Sequence, residues 1–183
     1  MILAVMMLIG ASAAFAGDSE PLKAILKAQN YAEAANLLQS TLEQLAGNEE
    51  KAKAYNRLYE LAMKKVNYEQ GIQLENETQK QMGKEGNKPV DEKGLYAAVD
   101  AAFESGVQAI KYDNMPNQKG KVKPKFSTLV EKVYKLRNDL INGGVYYQGK
   151  DDKQAYKYLA EYVESADYPD LQSLRNKTKI CLK

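Results

Sequence analysis

The chain has 183 residues, 44% of them apolar, enough for one modest domain and too few for two of ordinary size. Lys and Arg number 26 against 24 Asp and Glu, and a net charge of +2 exerts no general pull on nucleic acid or an anionic membrane. Histidine is absent and cysteine occurs once, at Cys181, which excludes Ser-His-Asp and Cys-His sites, imidazole zinc sites, intrachain disulfides and thiolate clusters.

The first sixteen residues, MILAVMMLIGASAAFA, carry no charged side chain. The apolar run from Ile2 to Ile9 has the length of a signal-peptide core and is too short to span a bilayer. Ala14-Phe15-Ala16 supplies the small-x-small pattern read by signal peptidase and predicts cleavage before Gly17. Lys and Arg are missing from the n-region, so either its first codons are incomplete or the signal is weak. The competing reading is a buried N-terminal helix. No cysteine follows the apolar run, which argues against a lipoprotein anchor, and after cleavage no segment would insert stably in a membrane. A single cysteine in an exported chain suits a bacterial periplasm.

From Gly17 onward the apolar residues recur every three to four positions and nothing alternates as a strand does. Leu22, Ile25 and Leu26 begin a short helix that Asp18 or Ser19 can cap, with Pro21 in its first turn. After Asn30, the residues Tyr31, Ala34, Ala35, Leu38, Leu42 and Leu45 form one face of a second helix, stopped by Gly47-Asn48. A third starts near Glu49, with Ala52, Tyr55, Leu58, Tyr59, Ala62 and Val66 on its apolar face. Asn67 predicts a break, and a fourth helix follows from Tyr68 to about Met82, with Ile72 and Leu74 inward. Residues 83–89 read as a loop. Asp91 caps a fifth helix along Leu95, Ala98, Val99, Ala102, Phe103 and Ile110. Residues 114–125 form a Lys-rich loop. A sixth helix covers about Phe126 to Tyr147, with Leu129, Val130, Val133, Leu136, Leu140 and Ile141 inward. A seventh runs from Lys153 to about Ser165, with Ala155, Tyr156, Leu159, Tyr162 and Val163 inward, and Pro169 ends it.

Two of the helix breaks share an Asn-Tyr-x-x-small signature, Asn30-Tyr31 to Ala34 and Asn67-Tyr68 to Gly71, with the tyrosines 37 residues apart. A third site runs from Gly143 to Pro169: Tyr146 stands three residues after Gly143, Ala155 twelve after it and Leu159 four further on, the spacings of the tetratricopeptide consensus. On these residues the chain resembles the tetratricopeptide-repeat family over about 21–82 and 126–169, and resembles the secreted members of Gram-negative envelopes. It departs from the family pattern at Tyr55 where Trp is usual, at Gly71 and Tyr162 where Ala is usual, and in a turn at 149–152 that is one residue long. The resemblance implies an all-α superhelix of antiparallel helical hairpins, about seven helices in all. It implies repeat-packing roles for Tyr31, Ala34, Leu38, Tyr55, Leu58, Tyr68, Gly71, Gly143, Tyr146, Ala155 and Leu159. The domain division is then a signal peptide at 1–16, a repeat domain at 17–169 and a tail at 170–183, either a cap or the scar of a truncation or frameshift.

No catalytic, cofactor or metal residues emerge from the sequence. Lys119-Gly120-Lys121 and Gly149-Lys150 lack the glycine spacing and the Ser/Thr of a phosphate loop. Carboxylate pairs such as Glu49-Glu50 and Asp151-Asp152 stand at helix starts, where they meet the helix dipole. Tyr147 and Tyr158, with Lys121, Lys123 and Lys125 of the basic loop, are candidates for a partner surface. The loop lacks the Arg and interleaved aromatics of a nucleic-acid surface. The function read from these features is a non-catalytic exported scaffold that takes a protein or peptide partner and no cofactor. Two other readings stay open: a fragment of a larger secreted repeat protein, and a helical enzyme or glycan-binding module that a cleft of convergent carboxylates would reveal.

Overall fold

The computed structural model describes residues 17–172. The expected leader at 1–16 and the tail from 173 onward lie outside the described residues. Within them the chain is all-α, with no strand.

Helix α1 (Glu20–Lys27) starts at Ser19, whose hydroxyl accepts the Leu22 N–H, and buries Leu22 and Ile25. At α2 (Tyr31–Thr41) the capping is reciprocal. Asn30 accepts the Glu33 N–H at 2.9 Å while the Glu33 carboxylate accepts the Gln29 N–H at 2.9 Å, satisfying donors at the helix start. Ala34 and Leu38 face inward from α2. A 3-10 turn and Gly47, at φ 87°, lead into α3 (Asn48–Gln81), a helix of 34 residues.

The break predicted at Asn67 does not occur. An asparagine inside a helix costs only about 0.7 kcal/mol relative to alanine. Its neighbours outweigh that: Val66 is fully buried, and the buried Glu69 accepts from Lys65 Nζ at 2.6 Å and from the Asp91 N–H at 2.9 Å. The helix is held on both sides of Asn67, which itself faces outward. Consequently Tyr68 is 64% exposed, and a Cβ added at Gly71 would meet open space. Neither packs one hairpin on the next, as the repeat reading required.

Beyond Glu69, α3 buries none of its residues through Gln81. It closes at Gly83, whose positive φ lets the Lys84 N–H reach back to the Gln79 carbonyl. The return loop is clasped to α3 by Asn76, which donates to the Lys88 carbonyl at 2.8 Å and accepts the Lys88 N–H at 2.9 Å. Helix α4 (Glu92–Asp113) then starts at Asp91, which accepts the Gly94 N–H at 2.8 Å. It runs antiparallel to α3, so that Asp91 lies beside Glu69 while Tyr112 stacks on Tyr55 at 5.6 Å.

Helix α5 (Leu129–Tyr147) and α6 (Asp152–Glu164) form the last hairpin. The ring of Tyr158 lies so near Gly143 that a Cβ there would stand 2.8 Å from it, and Leu159 covers Gly144. Arg137 ties the hairpin at its open end, donating to Ser165 Oγ at 2.9 Å and to the Tyr162 carbonyl at 3.0 Å. After a 3-10 turn at Ser165–Asp167, residues 169–172 open a further helical turn that buries Leu171. The expected number of helical segments, about seven, is reached in a different way: two predicted helices are one, and Pro169 begins a helical turn instead of ending a helix.

Three hairpins, α1/α2, α3/α4 and α5/α6, thus follow one another, each packed on the next. Leu22, Ile25, Ala34, Leu38, Leu58 and Leu61 form one core under the first hairpin. Val66, Val99, Phe103, Val133, Leu140 and Leu171 belong to a second core among α3 to α6. Tyr31 and Tyr55 touch both. At the centre, α3, α4 and α5 converge on Gly106, where a methyl group would overlap Val133.

Candidate functional site

A groove of about 700 Å³ opens over α4. Phe103, Glu104, Val107 and Gln108 of α4 form its floor. Tyr31 at the start of α2 and Tyr55 of α3 form one wall, and the face of α6 carrying Tyr156, Lys157, Ala160, Glu161 and Glu164 forms the other. Tyr168 closes one end. The residues on α6 repeat at three- and four-residue intervals, as one face of a helix must. Burial pushes the Tyr31 phenol pKa up, with Ser105 opposing.

Acidic side chains meet in the corner between α4 and α6. Asp100 and Glu104 lie one turn apart on α4, and Lys157 reaches across from α6 to Asp100 Oδ2 at 2.6 Å and to Glu104 Oε1 at 3.7 Å. Glu161, one turn beyond Lys157, joins them, so that all three carboxylates offer an oxygen within 4.8 Å of one another. Burial, reinforced by the charge of Asp100 and a hydrogen bond to it, then by Glu104, lifts the Glu161 pKa to about 8, with Lys157 opposing. Glu161 therefore keeps a proton at neutral pH and shares it with Asp100. Burial disfavours the charge on Lys157, but its hydrogen bond to Asp100 and the carboxylates around it outweigh this and raise its pKa. Asp100 Oδ1 and Glu161 Oε2 are fully buried and receive no hydrogen bond from any other side chain or from the backbone. Oxygen donors of this kind suit a hard cation, but such ions take six to eight ligands, and Lys157 already engages two of the three carboxylates.

Most of the sequence candidates lie elsewhere. Ala34, Leu38, Leu58, Gly143 and Ala155 are buried, and of the repeat-packing candidates Tyr31, Tyr55 and Leu58 line the groove. Tyr31, Tyr55 and Tyr146 are half-buried, and Leu159 is 41% exposed. Tyr147 and Tyr158 were expected at a partner surface, but both belong to a run of touching rings. Tyr96 meets Tyr146 at 5.1 Å, Tyr146 meets Tyr147 at 4.9 Å, and Tyr147 meets Tyr158 at 5.6 Å. Tyr158 is only 3% exposed, and burial drives its phenol pKa up. The reason is the rotation of α6. Ala155 and Tyr158 face α5, whereas Tyr156 and Val163, predicted inward, stand 75% and 65% exposed.

Lys121, Lys123 and Lys125 are exposed and line a second cleft of about 620 Å³ at the start of α3. Asp18, Glu49 and Glu50 line the same cleft. Asp18 pairs with Lys53, and Glu50 accepts from the Ser19 and Ala46 N–H groups, each at 2.7 Å. The cleft is therefore of mixed charge and largely self-satisfied. It shares no lining residue with the groove over α4.

Sequence reasoning missed Asp100, Glu104, Lys157 and Glu161. Their i, i+4 spacing on each helix was legible, but their meeting across α4 and α6 depends on the rotation of α6. Among the described residues no helix is long and apolar enough to cross a membrane. Compared with known proteins, the chain matches no family model, no curated protein and no solved structure.

Proposed function

We propose that the protein is a non-catalytic scaffold of a bacterial envelope, exported by a leader ending at Ala16, and that its groove over α4 receives a segment of a partner protein. The observation that carries this reading is the groove itself. It is concave, walled by tyrosines and built on three consecutive helical hairpins, an architecture that offers extended recessed surfaces to partners. A tyrosine supplies a large rigid contact area with a hydrogen-bonding tip at small entropic cost. The tetratricopeptide resemblance adds support through the α5/α6 hairpin, where Gly143 lets Tyr158 approach closely.

The convergent carboxylates favour a second reading, acid–base hydrolysis with Glu161 as the acid. Against it, two such groups must flank a bond from different sides, and here they meet in one corner with Lys157 among them. Photo-crosslinking tests the scaffold reading. With p-benzoylphenylalanine replacing Tyr156 in the full chain, one discrete partner is expected to be captured in the producing cell's envelope. The same probe at Lys123 should not capture it. Equal capture at both positions, or none at Tyr156, overturns the groove assignment.

A further inference from the structure

We infer that the segment the groove takes presents an arginine, or less favourably a lysine, whose cation enters the corner formed by Asp100, Glu104 and Glu161. The inference rests on the scaffold reading and supplies the chemistry of its partner. The lining carries Glu104, Glu161 and Glu164 against Lys153 and Lys157, with Asp100 behind them. Lys157 is already bound to Asp100 and Glu104, so the corner retains excess negative capacity. Asp100 Oδ1 and Glu161 Oε2 receive no hydrogen bond beyond the proton the two carboxyls share, so release of that proton leaves both as acceptors for an incoming cation. A guanidinium brings five such donors in a planar fork, where an ammonium brings three. The tyrosines complete the match. Tyr31, Tyr55, Tyr156 and Tyr168 line the same space, and aromatic faces attract both a cation and the aliphatic stem behind it.

Entry of the cation competes with the proton on Glu161. The balanced step is protonated Glu161 plus arginine cation going to a carboxylate–guanidinium pair, with one proton released to solvent. The groups facing Glu161 are Asp100 and Glu104 from α4, with Lys157, Tyr158, Glu164 and Tyr168 from its own side.

The test uses the full chain and two blocked hexapeptides of leucine and serine around one central residue, arginine in the first and its neutral isostere citrulline in the second. Calorimetry at neutral pH, in two buffers of different ionisation enthalpy, reads both affinity and protons released. The arginine peptide is expected to bind at least about tenfold more tightly, as charge-assisted hydrogen bonds allow. About one proton should leave per peptide, and affinity should rise between about pH 6 and about pH 8. Glu161→Gln and Asp100→Asn, checked for unchanged helicity, should abolish the arginine preference and the proton release. Equal binding of the two peptides, or no saturable arginine binding at about 5 mM, overturns the inference. If the crosslink at Tyr156 still captures a segment lacking basic residues, only the cation assignment fails. If it captures nothing, the groove reading falls with it.

Discussion

Glu161 is the residue whose chemistry departs furthest from its sequence appearance. In the unfolded chain its carboxyl titrates near 4.5, while in the fold burial and Asp100 raise it to about 8. Between those values the native state holds a proton that the unfolded state has released. Stability therefore falls as pH rises through this window and levels off above it. We expect the thermal midpoint to fall by roughly 5 °C from about pH 5 to about pH 8.5, after allowance for solvent screening. In Glu161→Gln this fall should be largely absent, and equal slopes for the two proteins would show that the corner does not hold the proton. Glu69 and Asp91 act in the opposite sense and in a different range. Hydrogen bonds from Lys65, then from the Asp91 and Gly94 N–H groups respectively, lower both pKa values. Their stabilising contribution is lost only as pH falls below the ordinary carboxylate range.

At the scale of elements, helix starts and the stripes of the central helices were more legible than the continuity of α3 or the rotation of α6. The caps at Ser19, Asn30, Asp91 and Asp151 all act as their residue types predict. The inward stripes of α4 and α5 follow their periodicity almost residue by residue. Two elements escaped. In α3 a local breaker was overruled by Val66 and Glu69, which only the folded neighbours place. In α6 the stripe of Tyr156, Leu159 and Val163 is as regular as the one actually buried, so periodicity could not choose between them. The candidate site lay behind that second ambiguity, since α6 in the other rotation would not bring Glu161 to Asp100.

The continuity of α3 can be decided by substitution. Asn67→Ala should stabilise by up to about 0.7 kcal/mol, and Gly71→Ala by up to about 1 kcal/mol, because both positions are exposed helix interior. A turn at Asn67 would make its replacement destabilising instead. Gly106→Ala should cost about 1–3 kcal/mol despite the better helix former, because the added methyl meets Val133 where three helices cross. Chemical denaturation of the three variants separates these outcomes.

At the scale of the whole molecule, three hairpins share two cores and Tyr31 and Tyr55 touch both, so the body should unfold as one unit. Stability is nevertheless uneven. Residues 70–81 of α3 include no fully buried residue and are tied to their neighbours by Gln70 to Asp139, the Asn76 clasp and the Glu75–Lys88 ion pair, whereas the α4 stripe is packed between α3 and α5. Native-state hydrogen exchange is expected to release the amides of 70–81 through local opening, well before those of 98–110. Equal protection of the two stretches would mean that the distal part of α3 is stabilised by contacts other than these. The site lies at the protected end of this gradient. On the proposed reading the groove is then ready-formed, and its tyrosines should need little reordering on binding.

The run of rings from Tyr96 through Tyr146 and Tyr147 to Tyr158 makes the protein its own optical probe. With 13 tyrosines and no tryptophan, all near-ultraviolet aromatic dichroism above the phenylalanine bands comes from phenol rings. Four of those rings are coupled at centroid distances of 4.9–5.6 Å across α4, α5 and α6. Their signal reports the seating of the last hairpin on the body, and with it the closure of one wall of the groove, without any label attached.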